Sequence, residues 1–519
     1  MATETVHHAA MTFSDHLPIL QVLIPFITAP LIVFIGRREL AWPLAFIASL
    51  SSFLVACLLL SKVIGGEIIS YKIGGWAPPL GIEYRVDAAN AFVLFLVTAI
   101  ATLVLPYARQ SITAEIPQRS QTLFYTLFLL CLTGLLGVTT TADAFNVFVF
   151  LEISSLASVA LVAMGAEKDK QALVAAYNYL IIGAVGATLY VIGVGLLYGI
   201  TGTLNMADLS ERVIDLKNNK ALIAGFGFMI VGIMVKAAIF PMHIWLPRAY
   251  AYAPSAVSVL LAATATKASL YILARILFSI FDISDTLIIN TLSYVILPLS
   301  ILAMFAGTIM AIYEKDIKRL LAHSSVAQIG YITLAFALGT KASIAAGFIH
   351  MFNHALIKGA LFMAITSISF YIQKRVTLNN LSGLGKTMPI TFFCFVICSL
   401  SLAGLPLTAG FISKLYLIKA SVSADGIWIA LLILFSSALS VIYLWKMIEA
   451  LWLQQPRKEI IIKENPTIYI SLIIITFLNI YFGLDASFVV DSSTCLLYTS
   501  DAADEGLGVD LGGRLIIKK

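Results

Sequence analysis

"HMFNHALIKGALFMAI", residues 350–365, is apolar at most positions yet carries His350, His354 and Lys358. A chain that places two imidazoles and an ammonium in so greasy a stretch needs a reason for doing so. At about 100° per residue the three positions are each displaced about 40° from the last, so they share one helix face. They extend over about 12 Å of rise. Whether that face meets water, core or lipid depends on what surrounds it.

The surroundings are apolar almost throughout. The 519 residues are 60% hydrophobic and 12% charged, with a mean hydropathy of +0.96. A soluble domain carries roughly 25% charged residues. A spanning helix needs about 20 apolar residues, and fourteen such runs can be placed, the first at 17–35 and the last at 467–485. They are too long and too continuous for the alternating strands of a membrane barrel. The expected fold class is an all-α polytopic membrane protein of about fourteen transmembrane helices. The leader "MATETVHHAAMTFSDH" has no basic flank or small-residue cleavage site, so the first run reads as a retained helix. His7 and His8 are too few to be a purification tag.

Lys and Arg concentrate in the loops after odd-numbered helices, including Arg37, Arg38, Lys168, Lys170, Lys315, Lys318, Arg319, Lys374, Arg375, Arg457 and Lys458. The positive-inside rule then places those loops in the cytoplasm and both termini on the other side. The same bias accounts for the net charge of +5 without a nucleic-acid partner. Trp42, Trp76, Trp245 and Trp452 suit interfacial belts. Cys394 and Cys398 share a helix face but have no further soft ligand, and no disulfide framework is readable. From Asp491 the composition turns to Gly, Asp and Ser, and 491–519 reads as a non-native or disordered tail outside the fold.

Two helices are interrupted. "KAAIFPMHIWLPRAYAYAPS" at 236–255 is expected to break at Pro241 and Pro247, and "LAGLPLTAGFISKLY" at 402–416 at Gly404, Pro406 and Gly410. Proline removes an amide donor and clashes with the preceding turn. In a bilayer such breaks persist only where protein or cavity water satisfies the freed backbone. Counted along the chain, these are the seventh and twelfth helices. An odd separation of five inverts orientation, which predicts two inverted five-helix repeats. The domains are then 1–120 (helices 1–3), 121–280 (first repeat), 281–455 (second repeat) and 456–490 (last helix).

Further charges lie inside the apolar runs: Glu152, Lys236, Lys267 and Lys414, beside Lys358. Each charge at a helix centre costs on the order of 2.5–3.5 kcal/mol. Snorkelling explains Lys419, Lys446 and Glu449 near helix ends, but not Glu152, Lys236 and Lys267 at mid-run. Burial lowers a lysine pKa and a nearby carboxylate raises it, so moving that carboxylate switches proton retention. Glu152 and Lys236 are the anion and cation such a switch needs. His350, His354 and Lys358 form a ladder able to hand a proton along. Zinc would require a third or fourth ligand, and none lies on this helix. Asp143 and Asn146 read as the polar start of the fifth helix. "EKDIKRLLAHSSVAQIGY" reads as a loop, with Ser324 or Ser325 capping the next helix.

The stretches "KAAIFPMHIWLPRAYAYAPSAVSVLLAATATK", "EKDIKRLLAHSSVAQIGY", "HMFNHALIKGALF" and "GLPLTAGFISK", in that order, resemble a known family. It is shared by the antiporter-like subunits of respiratory complex I and the large subunits of Mrp-type cation/proton antiporters. The resemblance covers about residues 85–450, and "EISSLASVALVAMGAEKD" looks most like the D-type Mrp subunits. It implies fourteen helices with two inverted repeats, and half-channels meeting along a central hydrophilic axis. It also implies roles: Glu152 and Lys236 as the fifth- and seventh-helix pair, Lys267 on the central axis, and His350, His354 and Lys358 as the eleventh-helix relay. Lys414 falls at the twelfth-helix terminal position, where one complex I member has glutamate. In "GLPLTAGF" relatives often have a second proline and a serine, a departure that removes no titratable group.

The implied function is proton translocation within a multisubunit monovalent cation (Na⁺, or K⁺ or Li⁺)/proton antiporter of the bacterial cytoplasmic membrane. The chain would act as a transporter subunit rather than an enzyme, with protons, the cation, partner subunits and lipid as its contacts. The alternative is a proton-pumping subunit of complex I or of a membrane-bound hydrogenase. No cofactor is expected on this chain, since no GxGxxG follows a strand and no cysteine quartet exists.

Overall fold

The computed structural model describes residues 13–372, 376–424, 426–455 and 466–501. His7, His8, Lys374, Arg375, Arg457, Lys458 and the end of the chain beyond Asp501 lie outside the described residues. In chain order the first helices are α1 (Leu17–Ile35) and α2 (Arg38–Val63), followed by a two-stranded antiparallel ribbon, β1 (Ile69–Lys72) and β2 (Glu83–Val86). Then come α3 (Ala88–Glu115), α4 (Gln118–Thr140), α5 (Ala144–Ala163), α6 (Gln171–Thr201) and the short α7 (Met206–Val213). The first interrupted segment is α8 (Lys220–Lys236) with α9 (Trp245–Tyr252). It leads to α10 (Ser255–Ala263), α11 (Ala265–Arg275), α12 (Thr286–Thr291) and α13 (Leu297–Tyr313). The second half continues with α14 (Ile317–Ala337), α15 (Lys341–Ile372), α16 (Pro389–Ala403), α17 (Ala409–Ser423), α18 (Ile427–Ile448), α19 (Pro466–Leu484) and α20 (Ser487–Asp501).

Among the described residues 11 helices are long and apolar enough to cross a membrane, or 12 if the bent pair Tyr469–Leu484 and Ser487–Thr494 counts as one span. The protein is a helical, polytopic membrane protein. α8, at 17 residues, and α16 and α17, at 15 each, are shortened by their breaks.

Burial orders the spans. The apolar stretch of Lys341–Ser369 is 100% buried and those of Ser255–Ile280 and Ile317–Ala337 are 94% buried, against 33% for the first span. These three central spans are also among the least apolar. Lipid selects for greasy surfaces, whereas a protein-lined interior tolerates polar side chains that find partners. The helix that carries His350, His354 and Lys358 is therefore the centre of the molecule.

Helix starts are set by short polar caps. Asp87 and Asn90 form a reciprocal capping box on α3, and the Asp143 side chain accepts from the Asn146 amide at 2.7 Å to open α5. Asp316 caps α14 by accepting from the Arg319 amide at 3.1 Å. The expected loop over 314–331 is thus mostly helix, and Ser324 and Ser325 lie inside it, their hydroxyls turned back on the Leu321 carbonyl. Asp316 captures the helix start because its carboxylate is the stronger acceptor.

Trp245 also departs from expectation. It is buried, stacked on Tyr179 at 4.3 Å and donates to the Val235 carbonyl at 3.0 Å, so it serves the first break rather than an interface. Asp491, where the tail was expected to begin, falls inside α20, which packs on α15 and α3 with Val489, Ser492 and Ser493 buried.

Pro247 does not break its helix. It lies in the first turn of α9, where a missing amide goes unused. Gly410 is likewise helical, the second residue of α17, and is needed for closeness instead: a Cβ there would overlap the Ser401 carbonyl oxygen. Gly410→Ala is expected to cost about 1–3 kcal/mol. Heat-induced unfolding of detergent-solubilised protein should show a lowered midpoint. Gly195→Ala, which meets open space, should leave that midpoint unchanged or raise it.

Candidate functional site: a buried line of lysines and histidines

The first group lies where α5, α6 and α8 meet. Lys236 is the last residue of α8, 7% exposed, and its Nζ donates to Glu152 Oε1 at 3.0 Å and to Ser155 Oγ at 3.1 Å. Gly183 of α6 leaves room for the ammonium, which lies 3.7 Å from where a Cβ would sit. Immediately after Lys236 the helix stops. Ala238 takes φ 55°, Ile239 N donates to the Met234 carbonyl at 3.0 Å, and Trp245 Nε1 takes the Val235 carbonyl. The interruption therefore spans Ala237–Pro241, and the Met234 and Val235 carbonyls just before it stay partnered. A cavity runs from Ser155, Ser158 and Lys236 to Ala268 and Ser269 of α11, next to Lys267.

Lys267 is fully buried, and its Nζ donates to the Ala262 carbonyl. This bond marks an interruption that the sequence reading did not anticipate. Thr264 stands at φ −124°, ψ −53° between α10 and α11, and its hydroxyl returns to the Leu260 carbonyl at 2.7 Å. Its only advance signal was a pair of β-branched threonines in "AATATK", ordinary residues for an intact helix.

On α15 the three expected residues do share one face. Lys358 Nζ donates to the Leu321 carbonyl at 2.9 Å and to Ser324 Oγ. The His354 and His350 rings lie parallel, 6.2 Å apart at an interplanar angle of 5°. His350 sits between Ser413 Oγ at 2.9 Å from Nδ1 and Gln328 Oε1 at 3.0 Å from Nε2. Ser413 donates its single hydrogen to the Gly410 carbonyl at 3.0 Å, so Nδ1 donates to Ser413. The Gln328 amide can offer either its oxygen or its nitrogen to Nε2. Both His354 ring nitrogens are buried and have no hydrogen-bond partner among the described residues.

The far end is the second break. Gly404 at φ 92° and Leu407 at φ 68° turn the chain between α16 and α17. Lys414 Nζ returns to the exposed end of α16, donating to the Leu402 carbonyl at 2.8 Å and the Ala403 carbonyl at 3.0 Å. It also lies 5.4 Å above the Tyr331 ring, which in turn is 5.6 Å from the His350 ring. Pro406 lies within this break, between Gly404 and Leu407.

Two groups result. Lys267 is within electrostatic reach of His350, His354 and Lys358, His354 also of His350 and Lys358, and Lys414 reaches His350. Glu152 and Lys236 form a separate pair, from which the serine-lined cavity extends to Ala268 and Ser269 of α11. The sequence reading missed Ser155, Gln328, Ser413 and Ser324 as the side chains that hold the titratable groups. All four lie within the motifs quoted above, Ser324 as an expected cap, but nothing in their residue type distinguished them from structural serines and amides. Among the described residues no cluster of His, Cys, Asp and Glu fits a metal.

The Glu152–Lys236 pair is asymmetric, since the Glu152 side chain is 26% exposed and that of Lys236 only 6%. Removing the carboxylate strands a buried ammonium, whereas removing the ammonium leaves a carboxylate with some access to water. Glu152→Gln should therefore destabilise the protein by about 2–3 kcal/mol, Lys236→Met by less, and the double variant should recover part of the loss. Thermal unfolding of the three variants measures the order.

Comparison with known proteins identifies the family. Residues 141–440, more than half the chain, match the family described as NADH:quinone oxidoreductase/Mrp antiporter, transmembrane. The chain is 39% identical over 445 residues to an NADH-quinone oxidoreductase subunit N of Desulforudis audaxviator, covering 85% of this chain and 87% of that one. It is 32% identical over 453 residues to the D-type subunit of an Na(+)/H(+) antiporter of Alkalihalophilus pseudofirmus, covering 86% and 89%. A chain in the structure of the Mrp complex from a Dietzia species superposes with a TM-score of 0.86 at 25% identity, covering 95% of this chain and 98% of that one. Four motifs in order, the paired interrupted helices and these matches agree: the chain belongs to the NADH:quinone oxidoreductase/Mrp antiporter transmembrane family.

Proposed function

We propose that the chain is the proton-translocating subunit of a multisubunit monovalent cation/proton antiporter in the bacterial cytoplasmic membrane, exchanging Na⁺, or K⁺ or Li⁺, for protons together with partner subunits. The observation that carries this reading is the buried line itself. Five cationic or basic groups and one ion pair are gathered here, four of the five on two of the three most buried spans, and all but His354 are held by named partners. A structural scaffold has no use for so many charges in hydrocarbon. Protons load Lys236 and Lys267, pass by Lys358, His354 and His350, and leave through Lys414, while movement of Glu152 relative to Lys236 gates each transfer.

The architecture assigned to this function is fourteen spans, with α8–α9 and α16–α17 as the seventh and twelfth. Two inverted five-helix repeats then cover 121–280 and 281–455, after helices 1–3 in 1–120 and before a last span in 456–490. Both termini lie on the non-cytoplasmic side. Support comes from the two interruptions, each with a lysine at or just beyond it. Inverted repeats place such broken helices at the transport site.

A second reading has its own support in the 39% identity to an oxidoreductase subunit N. There the same line of groups would be the pumping arm of a redox complex whose cofactors sit on other chains. Mass spectrometry of what co-purifies from native membranes in mild detergent separates the two: small hydrophobic subunits alone support antiport, and stoichiometric iron–sulfur or flavin subunits overturn it. Within the antiport reading, Glu152→Ala and Lys236→Ala are each expected to abolish cation-driven pH changes in everted vesicles while the complex still assembles. Normal exchange in either variant refutes the scheme.

A further inference from the structure

Away from the line of lysines, a polar cavity opens at the face where α3, α9 and α15 end and α14 begins. Glu115, Lys168, Asp169, Asp316 and Lys318 line it. Glu115, the last residue of α3, is the more enclosed member of its ion pair, with a side chain only 7% exposed. Its two oxygens accept from the Ser255 amide at 2.7 Å and the Ser255 hydroxyl at 2.6 Å, at the first turn of α10. The charges that face it are Lys168, 3.7 Å away on the segment after α5, and Lys318 of α14, which donates to the Ala253 carbonyl at 3.3 Å.

Inward from Glu115, α3 repeats the spacing seen on α15. Tyr107, Ser111 and Glu115 follow one another at intervals of four and share a face. Ser111 is fully buried. Tyr107, also fully buried, interacts with Ser111, Ser255 and Glu115. Its hydroxyl lies 2.5 Å from Thr366 Oγ1 on α15. Thr366 gives its own hydrogen to the Phe362 carbonyl at 2.5 Å, so Tyr107 is the donor between the two hydroxyls. Thr366 is two turns beyond Lys358 on the same face, and the intervening turn is filled by Phe362, packed edge-on against Tyr250 at 5.9 Å.

Resting on the antiport reading, we propose that Glu115, Ser111, Tyr107 and Thr366 form a proton inlet from this face to Lys358, with Phe362 as its stopper. A hydronium ion in the cavity water protonates the Glu115 carboxylate and is left as water. Each hydroxyl then takes a proton on its oxygen and releases its own hydrogen inward. The Lys358 amine receives the proton as an ammonium when Phe362 turns aside, and Glu115 is left as a carboxylate ready to load again. No group along the inlet changes its net composition. The inlet feeds the second half of the buried line directly, without passing through Glu152 and Lys236.

The test uses the whole complex in everted vesicles, reading the initial rate of cation-driven proton movement, with co-purification of the partner subunits as the measure of assembly. Glu115→Gln, Tyr107→Phe and Thr366→Val each keep the local shape and remove one proton-carrying group. Each is expected to lower the rate roughly a hundredfold, the low end for a positioned proton-transfer group, while Glu115→Asp restores most of it. If Glu115→Gln does not assemble, Tyr107→Phe and Thr366→Val, which delete a hydroxyl and no charge, decide alone. Wild-type rates in assembled variants overturn the inlet and leave the antiport reading standing. A wild-type complex without exchange overturns that reading and the inlet with it.

Discussion

Inside the hydrocarbon core no water is available, so a freed backbone carbonyl and a buried ammonium are both expensive unless they meet. In this protein they meet. Lys267 takes the Ala262 carbonyl beside the interruption at Thr264, and Lys414 takes the Leu402 and Ala403 carbonyls at the end of α16. The last carbonyls of a helix carry partial negative charge and lack intrahelical donors, which makes them suited to a cation. The breaks and the lysines are thus one device seen from two sides: neither would be stable alone at that depth. The surrounding helices then need only exclude lipid from the place where this happens.

They do so by close packing. α6 and α8 approach so nearly that a Cβ on Gly232 would lie 2.6 Å from the Gly186 carbonyl oxygen, the kind of contact small residues allow in membranes. That approach holds the end of α8, and so Lys236, against Glu152 and Ser155. On the other side, α15 is fixed to the first turn of α17 by Asn353, which donates to the Ala409 carbonyl at 2.7 Å, and by His350 on Ser413. The first turn of α17 is held in turn by Ser401, whose hydroxyl accepts from the Gly410 amide and donates to Asn479 of α19. The broken helices are therefore clamped at their breaks.

Much of this was legible in the sequence because the bilayer makes violations conspicuous. A lysine in an apolar run, or a proline beside one, stands out against its background, and Lys236, Lys267, Lys358 and Lys414 could each be picked out on that ground. The same logic fails for Ser155, Ser324, Gln328 and Ser413, since serine and glutamine at helix interfaces are common and their partners are set only by tertiary packing. It fails for Thr264, whose local sequence permits a helix that the demand of Lys267 for a carbonyl interrupts. Trp245 was misjudged for a related reason: belts at the membrane surface favour tryptophan, but so does a freed carbonyl needing an N–H donor. Pro247 and Gly410 carried the right residue types at the wrong scale, one tolerated in a first turn and the other required by contact rather than by turn geometry.

The partners also differ in what they permit. A carbonyl accepts a hydrogen bond from an ammonium or from a neutral amine, since both carry N–H hydrogens. Lys267, Lys358 and Lys414 can therefore lose a proton without losing their contacts, and the protein around them has no cause to rearrange. Lys236 is different because its partner is a charged carboxylate. If Lys236 became neutral where it stands, Glu152 would be left as an unbalanced anion, and the cost is relieved only if the carboxylate moves toward water or takes up a proton itself. Under the proposed exchange, three sites change charge at fixed geometry, and one changes geometry with charge. This divides the labour: the carbonyl-held lysines conduct, and the carboxylate-held lysine couples conduction to movement of the chain.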